Sequence, residues 1–218
     1  MGNGGQYQGE IFIEKRDLDL NLIKRVRVTN EFSYQDSPCL PYLNKSVFVT
    51  YTSNETGNLD IFVKEYDVNL NFMNMKLQLT TEISDQNSSS LGYFSSPSPF
   101  YQGFLLVYQS WETGLRSNGD IFVKQYYLNW TEICTLQITC DSFYQDRPSV
   151  IQKTHFEKNS DNPCYIAYVS NETGNWDIML QQLLPDLEPP STLYCDYDGS
   201  WHKQDFSIIL NATDDTLV

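Results

Sequence analysis

A seven-residue segment returns along this chain at nearly constant spacing, and any fold the chain adopts must accommodate that repetition. Asp60-Ile61-Phe62-Val63-Lys64-Glu65-Tyr66 recurs as Asp120-Ile121-Phe122-Val123-Lys124-Gln125-Tyr126. A degraded copy follows at Asp177-Ile178-Met179-Leu180-Gln181-Gln182-Leu183, and an earlier one stands at Glu10-Ile11-Phe12-Ile13-Glu14-Lys15. Counted from Ile to Ile, the intervals are 50, 60 and 57 residues. Periods of that size mark arrays in which one supersecondary unit cannot bury its apolar surface alone.

Three further elements keep a fixed order around this core. Tyr51-Thr52-Ser53-Asn54-Glu55-Thr56-Gly57 precedes it and recurs as Tyr108-Gln109-Ser110-Trp111-Glu112-Thr113-Gly114 and Tyr168-Val169-Ser170-Asn171-Glu172-Thr173-Gly174. Val26-Arg27-Val28-Thr29, Leu77-Gln78-Leu79-Thr80 and Leu136-Gln137-Ile138-Thr139 follow it. Tyr34-Gln35-Asp36-Ser37-Pro38 and Tyr144-Gln145-Asp146-Arg147-Pro148 open units, with an echo at Gln204-Asp205-Phe206-Ser207. Each element is rich in β-branched and aromatic residues and bounded by turn formers, so each reads as a strand. The Asn-Glu-Thr-Gly step supplies a turn in which Gly is free to take positive φ. No stretch holds a period of 3.6, which argues against helices.

The expected unit is four strands, A to D. In the third unit they are Pro148-Ser149-Val150-Ile151, Tyr165-Ile166-Ala167-Tyr168, Asp177-Ile178-Met179-Leu180 and about Thr192-Leu193-Tyr194. In strand C, Ile61 and Val63 point to one face while Phe62 and Tyr66 point to the other. Sheets apolar on both faces must be covered on both sides, as in blades stacked around an axis. The fold class expected is therefore all-β, a β-propeller of four-stranded antiparallel blades. Its units run over about 10–33 (partial), 34–81, 95–140, 144–195 and 204–218 (partial), the last holding a strand A at Ser207-Ile208-Ile209-Leu210. Residues 1–218 then form a single propeller with a split terminal blade or part of a larger one, and the second is expected.

The run Tyr168-Val169-Ser170-Asn171-Glu172-Thr173-Gly174-Asn175-Trp176-Asp177-Ile178 resembles the repeat of TolB-type, WD40-like propellers. So does Ser117-Asn118-Gly119-Asp120-Ile121-Phe122-Val123-Lys124 followed by Leu136-Gln137-Ile138-Thr139. The resemblance extends through the repeats over most of residues 10–210. It implies a propeller fold and says little of function. The Ser-Pro-Asp-Gly turn usual between strands A and B in that family is replaced by variable loops such as 152–162.

Charge narrows the partners. Lys and Arg total 14 against 28 Asp and Glu, a net charge of -14. Such a surface repels phosphate backbones and anionic membranes, so nucleic acid is not an expected partner. The longest apolar run, Phe104-Leu105-Leu106-Val107-Tyr108, is far too short to insert in a bilayer. Met1-Gly2-Asn3-Gly4-Gly5-Gln6 lacks the pattern of a signal peptide and reads as a loop. The cysteines, Cys39, Cys134, Cys140, Cys164 and Cys195, show no zinc-site spacing, and an odd number leaves at least one thiol without a partner in the chain. Cys134 and Cys140 flank one strand, too far apart along it for a direct disulfide.

Asp60, Asp120 and Asp177 occupy equivalent positions. Their candidate chemistry is Ca²⁺ ligation, set against the favoured reading of acceptors within their own turns. Asn-x-Ser/Thr acceptor sites occur at Asn44, Asn54, Asn87, Asn129, Asn171 and Asn211, against about three expected by chance. With the acidity and low Lys content they point to an extracellular or lumenal location. Of the tryptophans, Trp176 stands where Leu59 stands and is expected to pack. Trp111, with Glu112 and Arg116, marks a loop suited to binding. His155 and His202 have no metal spacing, and no nucleophile elbow or phosphate loop exists.

The function expected is a non-enzymatic binding or assembly module of a secreted or surface protein, without cofactor. Its partners would be other proteins, neighbouring subunits of an assembly among them, and glycans. Two rivals stand beside it. One is the accessory propeller of a serine peptidase whose catalytic domain lies outside this chain; the other is a carbohydrate-active or carbohydrate-binding propeller with axial carboxylates.

Overall fold

The structure, a computed structural model, describes residues 9–43, 45–95, 102–111, 119–140, 142–152, 164–183, 191–194 and 210–213. Among these residues the chain is all-β and contains no helix, hence none long and apolar enough to cross a membrane. Two strands open it, β1 (Phe12–Arg16) and β2 (Leu22–Arg27), paired antiparallel. The first large sheet contains β3 (Gln35–Cys39), β4 (Tyr42–Leu43), β5 (Ser46–Ser53), β6 (Asp60–Asp67) and β7 (Phe72–Gln78). Its order is β3-β5-β6-β7, with the short β4 also pairing β5. The second sheet runs in simple sequence: β8 (Gln86–Ser95), β9 (Gln102–Ser110), β10 (Asp120–Tyr127) and β11 (Glu132–Gln137). The third holds β12 (Gln145–Gln152), β13 (Cys164–Ser170) and β14 (Asp177–Leu183). A separate pair, β15 (Ser191–Tyr194) with β16 (Leu210–Thr213), completes the described strands.

Two expectations are corrected here. The unit placed at 95–140 opens earlier, because β8 begins at Gln86 and pairs β9 along most of its length. Its opening, Asp85-Gln86-Asn87-Ser88-Ser89, lacks the Tyr and Pro of the other openings and so escaped the repeat. The strand D placed at Thr192-Leu193-Tyr194 pairs β16 and is no part of the third sheet. Elsewhere strands C and D are joined by a tight turn: in Asp67-Val68-Asn69-Leu70-Asn71, Asp67 Oδ1 accepts the N–H of Asn69 and of Asn71, both at 2.8 Å. Asp17 holds Asp19 and Asn21 in the same way. The segment after β14 has Pro185, Pro189 and Pro190 instead, residues that offer no N–H to such a turn or to a ladder.

Alternation along strand C decides how the sheets meet. Ile11 and Ile13 of the first pair share a core with Phe62, Tyr66 and Leu70 of the first large sheet. That sheet's other face gives Ile61 and Val63 to a core with Phe104, Phe122 and Tyr126 of the second. The second sheet's far face gives Ile121 and Val123 to a core with Cys164 and Ile166 of the third. The two-faced reading of strand C holds for the first and second large sheets, whose Ile and Val seat the following sheet while Phe and Tyr seat on the preceding one; the third sheet seats on the second through Cys164 and Ile166 of β13 instead. The Val150 side chain packs directly on the Gly92 backbone across the last junction, where a Cβ on Gly92 would stand 3.0 Å from Val150 Cγ1. Among the described residues the sheets do not close into a ring.

Ion pairs cross the same junctions. Lys64 Nζ donates to Val28 O at 2.7 Å and pairs Glu31 at 3.3 Å, and Lys124 Nζ pairs Glu82 at 2.6 Å. Glu31 and Glu82 each stand two residues beyond the Thr that ends the preceding unit, so the two contacts are one device used twice. Burial alone would raise Glu31, but the Lys76 hydrogen bond, the Asn30 N–H and the Lys64 charge prevail and hold it at about 2.

Leu106, fully buried in the middle junction, tests the packing: Leu106→Ala is expected to lose about 2–5 kcal/mol in chemical denaturation. Ile83→Ala, at a 99% exposed position, should stay within about 0.5 kcal/mol. Glu31 gives a pH signature. Its folded pKa lies below its ordinary 4.5, so its stabilisation is complete above that pH and fades as pH falls towards about 2. The stability difference between the wild type and Glu31→Gln, followed by denaturation midpoint against pH, should therefore shrink across that window.

Candidate functional site: a polar seam along the opening strands

Each of the three larger sheets opens on a buried glutamine, Gln35, Gln86 or Gln145. The next residue, Asp36, Asn87 or Asp146, turns its side-chain oxygen back onto the N–H of its successor at 2.7, 2.7 and 2.6 Å. That successor has positive φ: 51° at Ser37, 53° at Ser88 and 51° at Arg147. Here the ladder to the second strand slips, between Asp36 and Cys39, Asn87 and Ser90, and Asp146 and Ser149. The slips are β-bulges, which re-aim side chains at the rim of a sheet.

Neighbouring bulges are tied to one another. Ser37 Oγ donates to Asn87 Oδ1 at 3.2 Å, and Ser88 Oγ donates to Asp146 Oδ1 at 3.1 Å. Thr52 Oγ1 adds a second donor to Asn87 at 3.0 Å. Further along, Ser89 Oγ donates to Thr50 Oγ1 at 3.3 Å and Val150 N–H to Ser90 Oγ at 3.1 Å. The result is a polar seam in which opening strands of successive sheets meet through hydroxyls and amides. Its rim is rich in acceptors (Asp36, Asn87, Asp146) and includes the exposed guanidinium of Arg147. Tyr34 donates its hydroxyl to Asp36 at 2.7 Å, and that bond first, with burial and the Asp36 charge, raises the Tyr34 pKa.

The equivalent aspartates are not brought together, for Asp60, Asp120 and Asp177 belong to three different sheets. Asp60 accepts Thr56 Oγ1 at 2.5 Å and Thr80 Oγ1 at 3.4 Å, and burial raises its pKa despite those bonds. Asp120 accepts Thr139 Oγ1 at 3.3 Å, and Asp177 accepts the hydroxyl of Thr173. Each of the three aspartates thus accepts a threonine hydroxyl, and for Asp60 and Asp177 a donor comes from the same B–C turn. The same threonines accept a strand N–H: Ile61 to Thr80 and Ile121 to Thr139, both at 2.8 Å. Among the described residues no group of three or more His, Cys, Asp and Glu is arranged to hold a metal ion.

Asn54 and Asn171 hold the B–C turns to the opening strands, accepting the N–H of Tyr34 at 2.8 Å and of Tyr144 at 2.9 Å. Gly57 and Gly174 take φ of 121° and 89° in those turns, the freedom expected of them. Asn129 is exposed in the turn after β10, accepting Thr131 N–H at 3.0 Å. Asn87 lies within the seam, and Asn211 lies on β16. Asn44, Glu112, Arg116, His155 and His202 lie outside the described residues. Trp111 is half-buried and donates its N–H to Asp85 O at 3.3 Å. Trp176 is exposed instead of packed, touching Tyr144 edge-on at 5.4 Å. Leu59 in the same position is roofed by the next opening strand through Gln86 N–H to Leu59 O, and no described strand does this for Trp176. Trp130 stacks on Phe104 at 4.3 Å, inside the middle junction. Among the described residues Cys39, Cys134, Cys140 and Cys164 form no disulfide, and burial of Cys164 pushes its thiol up to about 12.

Sequence reading missed the seam because the bulge rests on one short polar side chain and one positive φ, which no hydropathy pattern records. The recurring Gln-Asp/Asn pair was the available signal. No model of a known protein family and no curated protein matches the chain.

Arg147 isolates the backbone contribution, its side chain being 81% exposed and, among the described residues, paired with its neighbour Asp146. Arg147→Gly should gain about 1 kcal/mol by relieving the left-handed conformation, and Arg147→Val should lose at least as much, both read from urea melts.

Proposed function

We propose that the chain is a non-enzymatic β-propeller module of the TolB-type, WD40-like kind, belonging to a secreted or cell-surface protein and binding other proteins. The observation that supports this most is the recurrence of one junction. Three times an Ile/Val face receives the Phe and Tyr, or the Cys and Ile, of the next sheet, and at the last two of these junctions opening strands meet along one seam. Blades packed about an axis would place such a seam innermost. Binding then falls to the acceptor-rich rim at Asp36, Asn87 and Asp146 and to the B–C turns beside it. This surface suits partners that present hydroxyls, amides or cations, and its charge disfavours nucleic acid.

Surface chemistry also supports a lumenal or extracellular setting. An N-glycan is attached through Nδ2 and leaves Oδ1 free to accept, so the bonds from Tyr34, Tyr144 and Thr131 to Asn54, Asn171 and Asn129 would survive glycosylation. Expressed through a eukaryotic secretory pathway, the chain is expected to gain mass that an N-glycosidase removes, with a decrement on Asn129→Gln. An unmodified intact mass would count against the secreted reading.

A further inference from the structure

Strand β1 repeats the residue classes of β6 and β10, and its outward face is the counterpart of faces that are buried elsewhere. Phe62 and Phe122, seated on a preceding sheet, correspond to Phe12, which is 40% exposed. Leu70 and Trp130, set in the C–D turns with φ of 56° and 66°, reach the same preceding cores. Their counterpart Leu20 has φ of 67° and is 72% exposed. Even the cation over the ring is kept: Arg25 lies 4.3 Å above Phe12 as Lys76 lies 5.2 Å above Phe62. The β1–β2 pair is thus built as the Phe-bearing half of a junction.

The third sheet carries the opposite half. Ile178 and Leu180 stand where Ile61 and Val63, and Ile121 and Val123, are fully buried, yet they are 80% and 71% exposed. Paired with them on the same face are Val169 and Ala167, and Ile151 is exposed beside Tyr165. Charge divides in the same sense. Described residues 9–27 hold five Lys and Arg against four Asp and Glu, whereas the described residues from 142 to 183 hold one Arg against three Asp and Glu.

We infer that the β1–β2 face of one copy docks on the β12–β14 face of a second copy, head to tail, repeating the internal junction between chains. The internal junctions supply the geometry, the two exposed faces supply its complementary halves, and a first pair of slight net positive charge meets a third sheet of net negative charge. A contact of this kind is heterologous and leaves one free face of each type on a dimer, so it propagates until it closes. This inference concerns the sheet faces and stands apart from the seam and from the cellular setting proposed above.

Sedimentation of the full chain across a concentration series tests it. The wild type is expected at twice its 25.3 kDa mass or more at the upper end. Leu180→Glu and Phe12→Glu, both at exposed positions, should each sediment as monomers with an unchanged circular dichroism spectrum. Mixed in equal amounts they should form dimers, because each retains the face the other has lost. Ile178→Glu and Leu20→Glu form a second such pair should either first variant fail to fold. A wild type that stays monomeric throughout, a single variant that associates as the wild type does, or a mixture that remains monomeric would overturn the inference.

Discussion

No sheet in this molecule is stable in water alone, because strand C of each is apolar on both faces. An isolated pair or small sheet is marginal even with one dry face. In the two middle sheets one neighbour receives the Ile and Val of strand C and the other receives its Phe and Tyr. That mutual dependence explains why the unit recurs in sequence, why the junctions share one composition, and why Lys64 and Lys124 reach back to acids of the preceding unit. A Lys head group kept in place by a carboxylate is what allows a cation so close to a core.

The seam follows from the same stacking. Where the opening strands of successive sheets lie against one another, side-chain hydroxyls and amides meet across the junction. The second and third sheets each answer with a bulge that aims Asn87 or Asp146 at a serine hydroxyl of the sheet before it. The strain of three non-glycine residues at positive φ is offset locally by the side-chain caps at Asp36, Asn87 and Asp146. Side chains on this rim are therefore held by rigid elements on both sides, and the turns locked by Asn54 and Asn171 stand next to it.

Much of the fold was legible from residue order alone. The alternation in Asp-Ile-Phe-Val-Lys assigned Ile61 and Phe62 to opposite cores, and the structure places them there. What escaped lay where local chemistry replaced pattern. Asp85-Gln86-Asn87 opens a unit without the aromatic and proline landmarks of its counterparts. Tyr194 and its neighbours have the composition of a strand, but composition does not choose a partner, and they pair β16. The exposure of Trp176 could not be read from Leu59, because burial at that position depends on the strand that follows. The candidate site was legible only in part: the recurring Gln-Asp pair was visible, but its bulge and inter-sheet bonds are three-dimensional facts.

Contacts between sheets are the central claim, and nuclear Overhauser effects between assigned side chains report them directly. The Phe48 and Phe104 rings, on β5 and β9 with centroids 5.1 Å apart, should give cross-peaks, and so should Gly92 with the methyls of Val150. Strong cross-peaks within each sheet, with none between Phe48 and Phe104 or between Gly92 and Val150, would contradict the stacking on which everything else here depends.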